Sequence, residues 1–320
     1  MKQLVRIVLA EGNDPRVIKA AARARDHKIA ECILIGQPEA IQSEAANARL
    51  TLAGICIIEP ESSPQLKRYT RNLFDLRSKK SITWKQAETL AADPLYFADL
   101  MLQAGDADGS IAGANYTTAD RIRSALQIIG TTPGCNTVST FMLMHFHAAH
   151  HKPKRTLLFS DCALIVNPDA EQLAEIAIAS VTSARQFIKQ PPQVALLSFS
   201  TNGSASHNLV DKVQAATKRV RAALPDIPVD GEIQLDAAVI PEISTKKMPG
   251  SQTRGQANVL IFPDLNAANI GYKIAQRFGE AKAIGPVLQG LQKPANDLSR
   301  GCSVDDIYEM ISLTVQQARC

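Results

Sequence analysis

Hydrophobic positions along the chain alternate between short β-branched runs and longer stretches with helical spacing. Continuous apolar runs bounded by turn formers predict buried strands, and helical spacing predicts amphipathic helices. Most strand-like runs precede a helical stretch, and two helices are expected between Ser63 and Gly105. This alternation predicts parallel strands joined by crossover helices, an α/β sandwich. The strand-like runs are LVRIVLAEG, ECILIG, GICIIEP, GSIAGA, RTLLFSDCALI, QVALLSFS, ANVLIFPD and AKAIGPVLQG.

The composition is that of an ordinary globular protein of modest charge. Of 320 residues, 45% are hydrophobic and 21% are charged, and the formal net charge is +4. The dense basic run HHKPKR, residues 150–155, is typical of a solvated loop, so small anions are expected as partners and nucleic acid is not. No apolar run approaches the roughly 20 residues that span a bilayer, so no membrane partner is expected. The opening MKQLVRIVLAEG predicts a first strand rather than a signal peptide.

The six cysteines lie far apart, with neither a CxxC pair nor the tight spacing of a disulfide framework. Free thiols in a reducing, cytoplasmic compartment are the natural interpretation. Cys162, in the run FSDCA, is better explained as a buried thiol than as a nucleophile, which would need a nearby base. The histidines of 145–151 form H-x-H-x-x-H-H, and without neighbouring Cys or carboxylate ligands they predict a surface cluster rather than a metal site.

Two turns offer backbone N–H groups ahead of a helix, where partial positive charge favours anions. SFSTNGSASHN, residues 198–208, gathers hydroxyls around an Asn-Gly pair, and AGANYTTAD, residues 112–120, precedes a helix that carries Arg121 and Arg123. Taken singly, each turn is more often only a capped helix start. Together they indicate a ligand site at the carboxyl ends of the strands. The motifs GxGxxG and GxxxxGK[ST] are absent, which disfavours an ordinary Rossmann dehydrogenase or P-loop kinase.

The stretch PANDLSRGCSVDDI, residues 294–307, places a serine, an arginine and two aspartates between apolar segments. A hydroxyl, a guanidinium and a carboxylate so close together suit chemistry on an anion. The alternative is structural, because Ser303 and Asp306 match a capping box in which Asp306 only binds the backbone at a helix start. Arg77 also has two interpretations, since a basic residue at a helix end complements the helix dipole.

Seven blocks of the chain closely resemble the phosphate acetyltransferases. They occur in the family's order and extend over nearly the whole chain, as in the short, stand-alone form of phosphotransacetylase. The blocks are EGNDPRVIKAA, TTADRIRSALQIIGTTPG, LLSFSTNGSA, DGEIQLDAA, PDLNAANIGYKIAQR, IGPVLQGL and NDLSRGCSVDDI.

The resemblance implies a two-domain, three-layer α/β sandwich related to the isocitrate and isopropylmalate dehydrogenases, with the active site in the cleft between the domains. Turn formers in GTTPGCNTV mark a domain change. We predict domain I at residues 1–137 and 288–320 and domain II at 138–287. The resemblance further implies a homodimer that converts acetyl-CoA and phosphate reversibly into acetyl phosphate and CoA. CoA is then a substrate, and neither a metal nor a redox cofactor takes part in the transfer.

Carried over by motif, the resemblance implies Ser299, Arg300 and Asp306 as catalytic residues, with Asp306 as the candidate base for the CoA thiol. It implies direct transfer in a ternary complex without an acyl-enzyme. Arg77 and Arg123 are associated with CoA, and the two turns with phosphate. The full set of residues expected to bind CoA or phosphate is Arg77, Arg123, Thr117, Thr118, Ser200, Asn202, Gly203, Ser204 and Cys162.

The sequence departs from the family at two places. Lys80 and Ser81 stand where a Lys-Gly pair is common, and SDCALIVNPDA differs from the usual ADCAVNP. Butyryl-transferring relatives usually lack an intact NDLSRG, so acetyl is the expected acyl group. The alternatives are a phosphotransacylase that prefers propionyl or butyryl groups, a non-catalytic structural or regulatory module, and a metal-dependent 2-hydroxyacid dehydrogenase on the related scaffold.

Overall fold

A computed structural model describes residues 4–319, which divide into two compact units of mixed strands and helices. Within the described residues, unit 1 comprises 4–133 and 291–319, and unit 2 comprises Gly134–Gly290. The predicted α/β class is confirmed. The units divide after residues 133 and 290, whereas the predicted domain boundaries follow residues 137 and 287.

The described part of unit 1 contains five strands and seven α-helices, labelled in chain order. The strands are β1 (Arg6–Leu9), β2 (Glu31–Ile35), β3 (Cys56–Ile58), β4 (Gly109–Ala112) and β11 (Ala295–Asp297). The helices are α1 (Pro15–Asp26), α2 (Pro38–Asn47), α3 (Leu66–Arg77), α4 (Trp84–Ala92), α5 (Pro94–Ala104), α6 (Thr118–Ile128) and α12 (Val304–Ala318), and a 3₁₀ turn at Ser78–Lys80 follows α3.

The strands of unit 1 form one sheet in the order β11-β4-β1-β2-β3, and every pair in it is parallel. The carboxyl ends of these strands therefore share one edge of the sheet. The segments that follow β1, β4 and β11 emerge beside one another there, which is where open α/β sheets bind their ligands. The closing helix α12 belongs to unit 1 and packs against α1.

Three helices, rather than the predicted two, occupy the stretch between Ser63 and Gly105. The break lies at Asp93 and Pro94, which the periodic pattern does not reveal. Pro94 has no N–H to donate and favours the first position of a new helix. Asp93 ends α4 and caps α5, because its carboxylate accepts the backbone N–H of Leu95 at 2.9 Å.

The described part of unit 2 contains six strands and five α-helices. The strands are β5 (Ser139–Phe146), β6 (Arg155–Ser160), β7 (Val194–Leu197), β8 (Val229–Ile233), β9 (Val259–Ile261) and β10 (Lys282–Gln289). The helices are α7 (Ala170–Phe187), α8 (Asn208–Ala223), α9 (Leu235–Val239), α10 (Pro241–Lys247) and α11 (Leu265–Arg277).

The sheet of unit 2 has the order β10-β5-β6-β9-β7-β8 and is mixed. The neighbouring strands β6, β9, β7 and β8 pair in parallel. Strand β5 is antiparallel to both of its neighbours, β10 and β6. β5 is not among the strand-like runs of the sequence, and the predicted strands β6 and β10 both pair with it antiparallel rather than parallel. The segment between β5 and β6 carries the basic run HHKPKR and is too short for a crossover helix, so it can only return the chain in the opposite direction.

Each unit buries its own apolar cluster. Tyr69 and Phe97 meet edge to face in unit 1 with ring centroids 5.0 Å apart, and Phe159 and Phe262 pack 5.2 Å apart in unit 2. Across residues 4–319, no helix combines the length and the apolar character that a membrane crossing requires.

Candidate active site

Three segments lie at the carboxyl edge of the unit 1 sheet, and the sequence connects two of them with function. Ser299 and Arg300 lie just after β11, and Thr117 and Thr118 begin α6 after β4. Glu11 follows β1, the neighbour of β4. The parallel topology thus brings together parts of the chain that are about 100 to 290 residues apart in sequence.

Asp306 forms the capping box at the start of α12, as the structural interpretation of the sequence predicts. Its Oδ2 accepts the backbone N–H and the hydroxyl of Ser303, both at 2.8 Å, and its own N–H donates to Ser303 Oγ at 3.2 Å. The side chain is exposed, so it is open to a ligand as well. The role of Asp306 as a base stays a prediction.

Ser299 and Arg300 are both exposed, in the turn between β11 and α12. The Ser299 hydroxyl oxygen accepts the Gly301 N–H at 3.3 Å, which leaves its own proton available to a ligand. Within residues 4–319, no carboxylate lies at ion-pair distance from the Arg300 guanidinium. The turn therefore presents a hydroxyl donor and a cation to solvent.

Arg16, in the first turn of α1, binds the backbone of the segment that carries Ser299 and Arg300. Its Nη1 donates to the carbonyl oxygens of Arg300 at 2.8 Å and Cys302 at 3.0 Å, and its Nη2 donates to that of Ala114 at 3.1 Å. Its other N–H groups bind both carboxylate oxygens of Asp14. Although partial burial opposes this, hydrogen bonds from Arg16 hold the pKa of Asp14 below its usual value.

The loop that leads from β4 into α6 is wrapped around the buried carboxylate of Glu11. The consecutive backbone N–H groups of residues 113–116 all donate to Glu11, at distances between 2.5 and 2.9 Å. The Thr117 hydroxyl accepts the Asp120 N–H, and the Thr118 hydroxyl donates to Asp297. The sequence suggested that these backbone N–H groups would bind a ligand anion. In the structure they donate to the carboxylate of Glu11 instead.

Arg77 and Arg123 both lie close enough to Tyr96 to influence the same phenol. Burial raises the pKa of Tyr96, and the positive charges of Arg123 and Arg77 oppose that rise. Arg123 donates to Asp120 on the same helix at 2.7 Å and remains more than half exposed. Arg77 ends α3, so it also occupies the position that the helix-dipole alternative requires. The two arginines thus lie in one region of unit 1, beside the carboxylates of Asp93 and Asp120, which act on Tyr96 in the opposite sense.

The Ser200 turn of unit 2, residues 198–204, repeats this internal arrangement with Glu232. Gly203 donates its N–H to Glu232 Oε1 at 2.7 Å, and the buried Ser200 hydroxyl donates to the same oxygen at 3.0 Å. Burial opposes the effect, but these hydrogen bonds lower the pKa of Glu232. Asn202, Gly203 and Ser204 remain exposed at the tip of the turn.

Cys162 lies just after β6 and has no exposed surface. Burial raises the pKa of its thiol well above the ordinary value, and the neighbouring Asp161 adds to the rise. A thiol in this state is a poor nucleophile. The described cysteines, all except Cys320, which lies outside the described residues, are unpaired.

The histidines of 145–151 gather at the end of β5 and in the segment after it. The rings of His150 and His151 lie 4.1 Å apart, and His151 also contacts the Gly279 carbonyl oxygen at 2.6 Å. Within residues 4–319, no group of three or more His, Cys, Asp or Glu side chains has an arrangement that could hold a metal ion.

Several residues that shape these sites were not singled out from the sequence: Glu11, Arg16, Asp297 and Glu232. Glu11 and Asp297 end or directly follow strands, so a carboxylate after an apolar run was the available signal. Glu232 lies within β8. The sequence of this strand, VDGEI, is too polar for the apolar pattern to predict a strand there. Their partners are distant in sequence and become neighbours only through the fold.

Comparison with known proteins gives the same family from sequence and from structure. The family model described as "Phosphate acetyl/butaryl transferase" matches residues 1–315. A phosphate acetyltransferase from Clostridium acetobutylicum is 45% identical over 314 residues, covering 98% of this chain and 94% of the relative. The crystal structure of a phosphotransacetylase from Streptococcus pyogenes superposes with a TM-score of 0.93 at 41% identity, covering 99% of this chain and 94% of that one.

A more distant structure shares the fold alone. A 4-hydroxythreonine-4-phosphate dehydrogenase from Klebsiella pneumoniae has a TM-score of 0.56 at 12% identity, covering 99% of each chain. This agrees with the implied relation to dehydrogenase folds. The sequence match over nearly the whole chain is decisive for identity: the chain belongs to the phosphate acetyl/butyryl transferase family.

Proposed function

We propose that this chain is an acyltransferase that moves an acetyl group reversibly between CoA and phosphate, forming acetyl phosphate and CoA from acetyl-CoA and phosphate. The observation that carries the proposal is the exposed Ser299–Arg300 turn directly ahead of the helix that bears Asp306. The near-full-length similarity to phosphate acetyltransferases supports the same reaction. CoA enters as a substrate.

The chemical step needs a thiolate. A thiol with a pKa of about 8.5 is mostly protonated near neutral pH, so CoA becomes a good nucleophile only when a positioned base removes its proton. Asp306 supplies an exposed carboxylate, with Oδ1 left open while Oδ2 binds Ser303. Capping and proton transfer can therefore use different oxygens of one side chain. The capping box also holds the carboxylate in a fixed direction.

Arg300 and Ser299 would stabilise the charge that develops as sulfur attacks the acetyl carbon. Negative charge grows on the carbonyl oxygen and then leaves with phosphate, and the planar guanidinium of Arg300 can donate to both groups of oxygens. The Ser299 hydroxyl has its proton free to donate to an oxyanion or to orient the thiol. We propose direct transfer, and the burial of the Cys162 thiol, which is unsuited to carry an acetyl group, supports it.

Arg77 and Arg123 would bind CoA through its phosphates. Both add positive charge near Tyr96, and guanidinium groups attract phosphate in a partly exposed setting. In unit 2, the exposed tip of the Ser200 turn, Asn202 to Ser204, is our predicted phosphate-binding element, with its hydroxyl and amide side chains rather than the Gly203 N–H as donors.

We also propose that the protein is a cytoplasmic homodimer. The unpaired thiols among the described cysteines support a reducing compartment. Ile270 and Ile274 on α11 and Phe278, the residue directly after its end, are 57%, 54% and 86% exposed, and their spacing of four residues places them on one face. A contiguous apolar stripe in water is unfavourable and fits an interface with a second copy.

The first experiment follows thioester absorbance after acetyl phosphate is mixed with CoA. We expect rapid thioester formation, slowed by added inorganic phosphate because phosphate is the second product. Propionyl and butyryl phosphate, tested in parallel, report the acyl preference. If all three acyl phosphates fail with the folded protein, the non-catalytic module becomes the better explanation.

Replacing Asp306 separates base from cap. Asp306→Asn can still accept the Ser303 hydrogen bonds but cannot take a proton, so we expect a folded variant with a similar KM for CoA and kcat lowered by about 10²–10⁴-fold. The matched control is Ser303→Ala, which removes the cap but keeps the carboxylate and should cost about 0.5–2 kcal/mol of stability with a smaller loss of kcat. Wild-type turnover in Asp306→Asn would withdraw the base assignment.

Replacing Arg77 tests the CoA site. Arg77→Ala should raise the KM for CoA more than the KM for acetyl phosphate, because only CoA carries the additional phosphates. High salt should reduce the difference between variant and wild type. Arg71→Ala is the control, since Arg71 is an exposed arginine on the same helix. Equal rises in both KM values would favour the helix-dipole role.

Replacing Ile274 tests the dimer. Light scattering after gel filtration should give about twice the mass of one chain for the wild type, and a lower mass for Ile274→Glu because a buried unpaired charge opposes association. Gln276→Glu adds a charge about 200° around the same helix and should stay dimeric. A wild-type chain that is monomeric at all concentrations would contradict the proposal.

A further inference from the structure

Asp297 is a buried carboxylate two residues before Ser299 that the reaction scheme does not use. It ends β11 and is only 3% exposed. Its Oδ2 accepts the hydroxyl of Thr118 at 2.8 Å. Its Oδ1 is buried and has no hydrogen-bond partner among residues 4–319. A buried acceptor left without a partner costs free energy, so Asp297 carries a stability penalty at this position.

The carboxylate fills a space that the neighbouring backbone leaves open. Gly113, directly after β4, has φ +115°, and a Cβ there would lie 2.4 Å from Asp297 Oδ1 and 2.6 Å from the carbonyl oxygen of Leu298. The Leu298 N–H donates to the Ala112 carbonyl at 2.8 Å. The two strand ends are thus pressed together, and Asp297 fixes the point where β11 turns toward Ser299.

The charged groups around Asp297 come from two elements. Arg121 on α6 favours the ionised form, and Glu11 after β1 disfavours it. From α12, Thr314 and Gln317 bind the preceding residue Asn296 and carry no charge. Burial is the largest influence and raises the pKa of Asp297 to about 6, in spite of the hydrogen bond from Thr118. The group therefore titrates just below neutral pH.

We propose that Asp297 is a positioning residue that, through the Thr118 hydroxyl, fixes the first turn of α6 against the strand end that carries Ser299 and Arg300. The inference rests on the proposed role of Ser299 and Arg300. Asp297 does not itself touch substrate. Its ionised form accepts a charge-assisted hydrogen bond from Thr118, which is stronger than the bond that a protonated carboxyl accepts.

The titration gives this role a signature that a structural role lacks. Ionisation strengthens the link to Thr118, so kcat should rise with pH through about 6. Stability should move in the opposite direction. Because the folded pKa lies above the unfolded value, the folded state binds the proton more tightly between pH 3.8 and about 6, and Asp297's contribution to stability falls as pH rises through this window.

The decisive variant is Asp297→Asn, which keeps an oxygen acceptor for Thr118 but cannot ionise. We expect a melting temperature at pH 7.5 no lower than that of the wild type, kcat lowered about tenfold, a nearly unchanged KM for CoA, and loss of the acidic limb near pH 6. Thr118→Val should lower kcat by a similar factor. The double variant should lose little more than either single one, because both remove the same link.

The matched control is Ser124→Ala, which removes another buried hydroxyl-to-carboxylate bond of α6, to Asp99 at 2.7 Å. It should keep the wild-type pH profile, even if it is less stable. A folded Asp297→Asn with wild-type kcat and pH profile overturns the inference. If that variant does not fold, Thr118→Val decides: a lowered kcat with unchanged KM values and loss of the acidic limb near pH 6 supports the link, and a wild-type kcat and pH profile overturns it.

Failure of this inference is distinguishable from failure of the proposed function. Ser299→Ala and Arg300→Ala are assayed beside the Asp297 and Thr118 variants. If Ser299→Ala and Arg300→Ala lose activity while Asp297→Asn does not, only the positioning role is overturned. If neither Ser299→Ala nor Arg300→Ala loses activity, the proposed catalytic role of Ser299 and Arg300 is overturned. The positioning role of Asp297 is then overturned as well.

Discussion

The buried ion pair between Arg121 and Asp99 is the contact on which the architecture of unit 1 depends. Neither side chain has exposed surface, and Arg121 Nη1 donates to both Asp99 oxygens, at 2.6 and 2.8 Å. The same guanidinium binds Ser110 Oγ at 2.8 Å and the carbonyl oxygen of Asn296 at 2.9 Å. Removing one partner of such a pair leaves a buried charge uncompensated, at a cost of about 3–5 kcal/mol. One side chain thus joins α5, α6, β4 and β11.

That junction sets the geometry of the candidate active site, because α6 and β11 carry its parts. Thr118 begins α6 three residues before Arg121, and Asp297 directly follows Asn296. The network fixes both elements in the interior, and the Thr118–Asp297 hydrogen bond continues the connection to the edge of the sheet. The Ser299–Arg300 turn can then keep a defined position although it is exposed, because buried hydrogen bonds hold the strand from which it extends.

Internal carboxylates shape the turns in both units. Glu11 gathers four consecutive N–H groups ahead of α6, and Glu232 gathers an N–H group and a hydroxyl in the Ser200 turn. Without these carboxylates, the N–H and hydroxyl groups of the turns would need water or a ligand as hydrogen-bond acceptors. Because these glutamates satisfy the donors permanently, the turns keep their conformation before substrate arrives, and exposed side chains are left to bind it.

The sequence by itself determined the α/β class, the family, the NDLSRG turn and the Ser303–Asp306 capping box, because these depend on local patterns. Only the tertiary structure decided which residues support them. The Asp93–Pro94 helix break, the antiparallel β5 and the polar strand β8 escaped the periodic pattern, since turn chemistry and buried hydrogen bonds outweighed it. The partners of Glu11, Arg16, Arg121 and Asp297 are mostly distant in sequence, and no spacing rule connects them. Their meeting depends on the order of parallel strands, which brings remote strand ends to one edge.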